Sequence, residues 1–252
     1  MLRKNLPCGT RRPSRLAHAR VRVIKKSPCT IARRLFTNLD SSSRRSAAGS
    51  VLVKIFAKHA ASFWLLACYT YSMNQTATFA GGCFWCTEHD LREIPGVLDA
   101  VSGYSGGDIF NPSYEHHDGY REAVQVIYDP QKVTFKKLAQ FFLDHIDPTD
   151  ADGQFYDRGE SYKTAIYYKN TEEKTIAESL VAELGESELF APSPIAVQIL
   201  PYKNFFKAED YHQDYAEKNP THYQSYAKGS GRVQFVANTC AIRDQKHIQW
   251  KD

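Results

Sequence analysis

Ala77-Thr78-Phe79-Ala80-Gly81-Gly82-Cys83-Phe84-Trp85-Cys86 carries a strand, Ala77 to Ala80, through two glycines into the start of a helix. A cysteine at such a junction meets unpaired backbone N–H groups and the positive end of the helix macrodipole, which favour thiolate over thiol. The glycines let the backbone turn sharply and leave room for a substrate. Cys86 lies about one helical turn from Cys83, within reach of a disulfide once the first turn adjusts. Two aromatics between the sulfurs suit an apolar reaction partner.

Downstream, Thr87 to Glu93 continues the helix until Pro95-Gly96 ends it. Val97 to Val101 reads as a strand leading into a flexible loop, Gly103-Tyr104-Ser105-Gly106-Gly107. Glu122 to Tyr128 alternates as a strand, with Glu122, Val124, Val126 and Tyr128 on one face. Thr134 caps a helix over Phe135 to Ile146, whose apolar stripe is core. Asp147 to Ser161 is a polar loop, longer than a connector needs and of the kind that carries function. Thr164 to Tyr168 is a strand, Thr171 to Leu184 an amphipathic helix, Ile195 to Leu200 a strand, and an aromatic, mostly irregular tail follows Pro201. No phosphate loop, Gly-x-Gly-x-x-Gly fingerprint or internal repeat interrupts this order, which leaves one α+β or α/β domain with no nucleotide site.

The net charge of +4 hides two unlike parts: residues 1–72 hold 15 of the 32 Lys/Arg and one of the 28 acids, leaving 17 against 27 in residues 73–252. The globular part is therefore acidic, and no nucleic-acid partner is expected. The basic extension, rich in Arg, Ser and Pro, does not fold alone. Three readings stand for it. It resembles an organellar transit peptide; or Ala60 to Tyr71, of signal-core length, ends in a lipoprotein site at Leu65-Leu66-Ala67-Cys68 with translation starting near Val51 or Val53; or translation starts at Met73. The expected location is cytoplasmic, or the cell envelope or an organelle if the extension is a targeting segment. Membrane attachment is expected only if Cys68 is lipidated.

Six cysteines, at positions 8, 29, 68, 83, 86 and 240, are too few and too unevenly spaced for a disulfide framework. A redox pair fits better, and no metal is expected, since His116-His117 and His212 supply no second ligand pair at zinc spacing. Adding the neighbours of the pair makes the pattern specific. Gly82-Cys83-Phe84-Trp85-Cys86-Thr87-Glu88 resembles the signature of the A-type peptide methionine sulfoxide reductases. The resemblance runs over about residues 76–235, through Gly103-Tyr104-Ser105-Gly106-Gly107, Asn111-Pro112-Ser113-Tyr114-Glu115, Glu122-Ala123-Val124-Gln125, Asp147-Pro148-Thr149, Asp157-Arg158-Gly159-Glu160-Ser161-Tyr162 and Tyr211-His212-Gln213-Asp214-Tyr215 with Lys218-Asn219-Pro220.

The resemblance implies an α+β fold for residues 73–252, a two-layer mixed sheet with helices around a ferredoxin-like core and an irregular C-terminal tail. It implies reduction of the S epimer of methionine sulfoxide, free or in proteins, with Cys83 as nucleophile. Glu122 is the carboxyl that delivers a proton to the sulfoxide oxygen, Tyr104 and Tyr162 the hydroxyls that hold that oxygen, and Asp157 a further polar pocket residue. Phe84 and Trp85 bind the methyl group. The sulfenic acid on Cys83 then condenses with Cys86, and thioredoxin or a similar dithiol reduces the disulfide. No cofactor is implied, and a monomer is expected.

Two positions depart from the commoner family pattern. Many relatives carry glycine where Cys86 stands and resolve with tail cysteines, and Gly119-Tyr120-Arg121-Glu122 replaces a commoner Gly-His-Ala-Glu while keeping the acid. Arg121 is expected to alternate to the opposite strand face. Cys240 reads as incidental or as a relay thiol, and Glu88 as helix surface. The competing function is a thioredoxin-like dithiol oxidoreductase, although no proline stands out as the cis-proline such a site requires; a metal-binding module is disfavoured by its ligand count.

Overall fold

The structure is a computed structural model and describes residues 74–246 and 250. The readings of residues 1–72 and of Met73 as a start lie outside the described residues.

Strand β1, Gln75–Ala80, leads through the glycines into helix α1, Phe84–Arg92. Strands β2, Val97–Ser105, and β3, Arg121–Tyr128, then pair antiparallel, and β3 also pairs antiparallel with β1. Helix α2, Phe135–Asp144, is capped by the Thr134 hydroxyl, which accepts from Lys137 N at 3.3 Å. Short strands β4, Gly153–Gln154, and β5, Asp157–Arg158, precede a 3-10 turn over Glu160–Tyr162. Strand β6, Ala165–Tyr168, helix α3, Thr171–Glu186, and strand β7, Gln198–Pro201, complete the alternation.

With β8, Phe206–Lys207, the main sheet runs β7-β6-β1-β3-β2-β8. β6 and β7 pair in parallel and every other neighbour is antiparallel, so the sheet is mixed. The order β6-β1-β3-β2, with α1 and α2 as crossovers, is the split β-α-β arrangement expected of this α+β fold.

Alternation along the strands sorts the core. Ala77 and Phe79 of β1, Val124, Val126 and Tyr128 of β3 and Ile166 of β6 pack with Leu91, Phe135, Leu138, Phe142, Ala177, Leu180 and Leu184 of α1, α2 and α3. Phe79 lies 5.0 Å from Phe142 and 6.1 Å from Phe135, ring centre to ring centre. The opposite face buries Ala80, Ala123, Ala165 and Tyr167 under Leu200, Tyr202 and Phe205.

Three differences from the sequence reading have physical causes. Gly103, Tyr104 and Ser105 belong to β2 rather than to a loop. The glycine there serves close approach, since a Cβ on Gly103 would lie 2.3 Å from the Phe206 carbonyl oxygen of β8. The Asp147 to Ser161 segment is folded by β4, β5 and the 3-10 turn. The tail beyond Lys207 is largely helical: α4, Tyr215–Lys218, α5, Pro220–Gly229, and α6, Arg232–Gln245. These helices carry polar and aromatic residues almost evenly around their surfaces, so the periodic apolar signal is faint. Pro220 at the head of α5 fits the one helical position that tolerates it.

Candidate active site

Gly82 has a φ of +77°, a conformation open to glycine, and a Cβ there would lie 2.5 Å from Gln154 Cβ. That turn delivers Cys83 as the N-cap of α1. Both cysteines are reduced and buried, Cys83 being 8% and Cys86 1% exposed. They share a side-chain hydrogen bond, and the proton is not where a bare helix N-terminus would leave it. Burial pushes the Cys83 thiol well up, and the hydrogen bond with Cys86 and the acidic charges of Cys86, Glu122 and Asp157 reinforce this. The hydrogen bond from Cys83 holds Cys86 below the usual thiol range, against burial, with help from Arg232 and Tyr223. Burial therefore raises Cys83 and the shared hydrogen bond lowers Cys86, the reverse of what the place of Cys83 on α1 alone predicts.

Glu122 is one of the acids that raise Cys83. It sits on β3 directly across from Tyr104 on β2, and its Oε2 accepts from Phe84 N at 2.9 Å. The carboxyl thus takes one of the free N–H groups at the head of α1. Burial raises Glu122 to about 8, against the hydrogen bonds from Phe84 N and Tyr162 that lower it. At neutral pH the group is a carboxylic acid and holds a proton to give. The substitution of Arg at position 121 leaves this intact: Arg121 turns to the other face, where Nη2 donates to Gln198 Oε1 at 2.8 Å.

Of the expected hydroxyls, Tyr162 is hydrogen-bonded to Glu122. Tyr104 is fully buried and donates instead to Glu209 Oε2 at 3.0 Å. Glu209 also accepts from Tyr114 N at 2.9 Å, which ties the Asn111-Pro112-Ser113-Tyr114 loop beside the site. Asp157 of β5 accepts from the Tyr226 hydroxyl of α5, and burial raises its pKa despite that bond and Arg232.

The two aromatics of the hexapeptide separate. Phe84 is buried in the main core, 4.9 Å from the His212 ring and 6.0 Å from that of Tyr104. Trp85 is half-buried and stacks on Tyr215 at 3.8 Å and 7°, with Tyr226 edge-on at 6.2 Å. Its Nε1 donates to His212 Nδ1 at 3.1 Å, a bond that fixes the indole plane. Trp85 with Tyr215 forms the open aromatic wall, and Phe84 backs it from the core.

Glu88 corrects the sequence reading, for it is buried rather than on the helix surface. Its carboxylate accepts from Ser102 Oγ at 2.7 Å, Arg92 Nη2 at 2.7 Å and Asp214 N at 2.9 Å, joining α1 to β2 and to the start of α4. Four residues escaped the sequence reading as site members: His212, Tyr215, Tyr223 and Tyr226. The signal available was the density of tyrosine and histidine between Tyr211 and Tyr226, which an irregular tail has no reason to bury. Cys240 lies buried on α6.

A family model described as peptide methionine sulfoxide reductase matches residues 75–243. The peptide methionine sulfoxide reductase MsrA/MsrB of Vibrio cholerae is 45% identical over 171 residues, 66% of this chain, and the chain spans 45% of that relative's length. Peptide methionine sulfoxide reductase MsrA 2 of Staphylococcus aureus is 47% identical over 167 residues, covering 65% of this chain and 94% of the relative. Among solved structures, methionine sulfoxide reductase A of Corynebacterium diphtheriae is similar with a TM-score of 0.53 at 32% identity, over 59% of this chain and 76% of that one. The match to the family model takes in both cysteines, the acid on β3 and the helical tail that covers them, and the chain belongs to the peptide methionine sulfoxide reductase family, A type.

Proposed function

We propose that this chain reduces the S epimer of methionine sulfoxide, free or in proteins, through a Cys83 sulfenic acid and a Cys83–Cys86 disulfide, with thioredoxin as the reductant. The observation that carries this reading is the buried Glu122 carboxyl hydrogen-bonded to Phe84 N at the head of α1, where burial raises it to about 8, next in the chain to the thiol that must attack. The Cys83 sulfur attacks the sulfoxide sulfur while Glu122 protonates the oxygen, and the thiol proton replaces the one Glu122 gave. The oxygen passes to Cys83 and the thioether leaves, so the sulfoxide is reduced by two electrons and Cys83 becomes a sulfenic acid. Tyr162 steadies Glu122 and the oxygen, while Tyr104 is held by Glu209; Trp85 and Tyr215 receive the methyl group; Asp157 and Tyr226 border the pocket.

The test is an epimer-resolved assay of the full chain with dithiothreitol, using methionine S-sulfoxide and methionine R-sulfoxide separately. Methionine is expected from the S epimer alone. No methionine from either, with insulin disulfides reduced instead, would replace this reading with a general dithiol oxidoreductase.

A further inference from the structure

The surroundings of the Cys86 sulfur include residues of α1, α5 and α6 that the steps above leave unused. Asp90 follows Cys86 by one turn on α1, and its Oδ2 accepts from Arg232 Nη2 at 2.9 Å. Arg232 opens α6 and is 6% exposed, a depth at which a guanidinium persists only among paired anions and acceptors. Tyr223 and Ala227 of α5 share one buried cluster with Cys83 and Cys86, and Tyr223 is hydrogen-bonded to the Cys86 sulfur. Asp90 thus holds a buried guanidinium close along α1 to a thiol that Tyr223 also touches.

We propose that Arg232, anchored by Asp90, and Tyr223 form an anion site for the Cys86 thiolate, and that this site sets the rate at which Cys86 resolves the sulfenic acid. The proposal rests on the reading of Cys83 and Cys86 given above and adds the source of the resolving thiol's reactivity. Arg232, the Cys83 thiol and Tyr223 favour the thiolate; Asp90 opposes it; Glu122 is neutral at pH 7, and Tyr226 stays a phenol.

The chemistry uses the anion twice. In resolution the Cys86 thiolate attacks Cys83 Sγ, the S–S bond forms, and the S–O bond breaks with its electron pair on oxygen. That oxygen leaves as water with a proton from the Glu122 carboxyl, so Cys86 is oxidised and Cys83 reduced. In recycling, the thiolate of a protein dithiol attacks Cys83 Sγ, the less enclosed sulfur, and Cys86 departs as a thiolate onto the same site. The second thiol of the reductant then breaks the mixed disulfide and returns Cys83 as a thiol. A lower pKa at Cys86 makes it the better leaving group in that step.

The experiment mixes the full chain with methionine S-sulfoxide in the absence of reductant, quenches in acid, and follows methionine formed and thiols lost from pH 5.5 to 9.5. Parent, Arg232→Met, Arg232→Lys and Asp90→Asn are compared. Methionine formed reads the Cys83 step by itself, and thiols lost read resolution by Cys86. For Arg232→Met, thiol loss at pH 7 should slow about tenfold and its pH midpoint rise by about one unit or more, as when an opposite charge is removed from beside a thiolate. Arg232→Lys should restore most of the rate. Asp90→Asn keeps an oxygen for Arg232 and removes the opposing charge, so its midpoint should fall. Midpoints unmoved in Asp90→Asn and in whichever Arg232 variants fold would overturn the proposal, whereas a parent that forms no methionine would overturn the underlying reaction instead.

Discussion

Glu122 stores a conflict between folding and chemistry that Glu122→Gln should expose. In the unfolded chain the carboxyl titrates near 4.5, and in the folded protein burial holds it at about 8. Between those values the unfolded chain releases a proton that the folded protein keeps, so stability falls as pH rises through the window and levels off above it. At 1.36 kcal/mol per unit, the 2.5 units from 4.5 to pH 7 cost about 3 kcal/mol. Glutamine has no charge to bury, and its carbonyl can still accept from Phe84 N. Differential scanning calorimetry of reduced parent and Glu122→Gln should give similar Tm values near pH 4.5. The variant should then pull ahead by on the order of 10 °C at pH 7, for a domain of this size. The same variant should form methionine on the order of 10²- to 10⁴-fold more slowly, the usual worth of a positioned acid. A Tm difference that stays constant from pH 4.5 to 8 would refute the buried-acid argument, whatever happened to the rate.

Three further outcomes follow from the geometry. Cys86→Ser should make about one methionine per chain with thioredoxin present and then stop as the sulfenic acid, which a sulfenic-acid trap and mass spectrometry would detect; sustained turnover would remove Cys86 from resolution. Gly82→Ala forces a side chain into φ +77° and 2.5 Å from Gln154 Cβ, so chemical denaturation should read a loss of about 1–3 kcal/mol. Glu88→Ala leaves Ser102 Oγ, Arg92 and Asp214 N without their shared acceptor and should cost about 2–4 kcal/mol by the same measurement, whereas a surface glutamate would cost almost nothing.

What the sequence made legible was whatever repeats at a short period or acts through neighbours in the chain. The alternation Glu122, Val124, Val126, Tyr128 placed a carboxyl on the core face of β3, and the Thr134 cap and the acids opening α3 fixed helix starts. Gly81-Gly82 announced the turn that makes Cys83 an N-cap. What it hid depends on distant partners. Glu88 looks like any first-turn acid until Ser102 and Asp214 close around it. Tyr104 looks like a free hydroxyl until Glu209, far along the chain, accepts its hydrogen bond. The opposite directions in which the two thiols shift were hidden for the same reason, because burial raises Cys83 and the hydrogen bond from Cys83 lowers Cys86.

The cover over the dithiol has a consequence for synthesis. Cys83 and Cys86 come early in the domain, while Tyr215, Tyr223, Tyr226 and Arg232, which enclose them, come near its end. At roughly 5–20 residues per second, roughly 7 to 30 seconds pass between emergence of the pair from the ribosome and emergence of its lid. During that interval the nascent chain displays a vicinal dithiol with neither the buried acid network nor the aromatic roof that will later govern it. The dithiol therefore meets whatever thiols and oxidants surround the nascent chain before the tail closes over it.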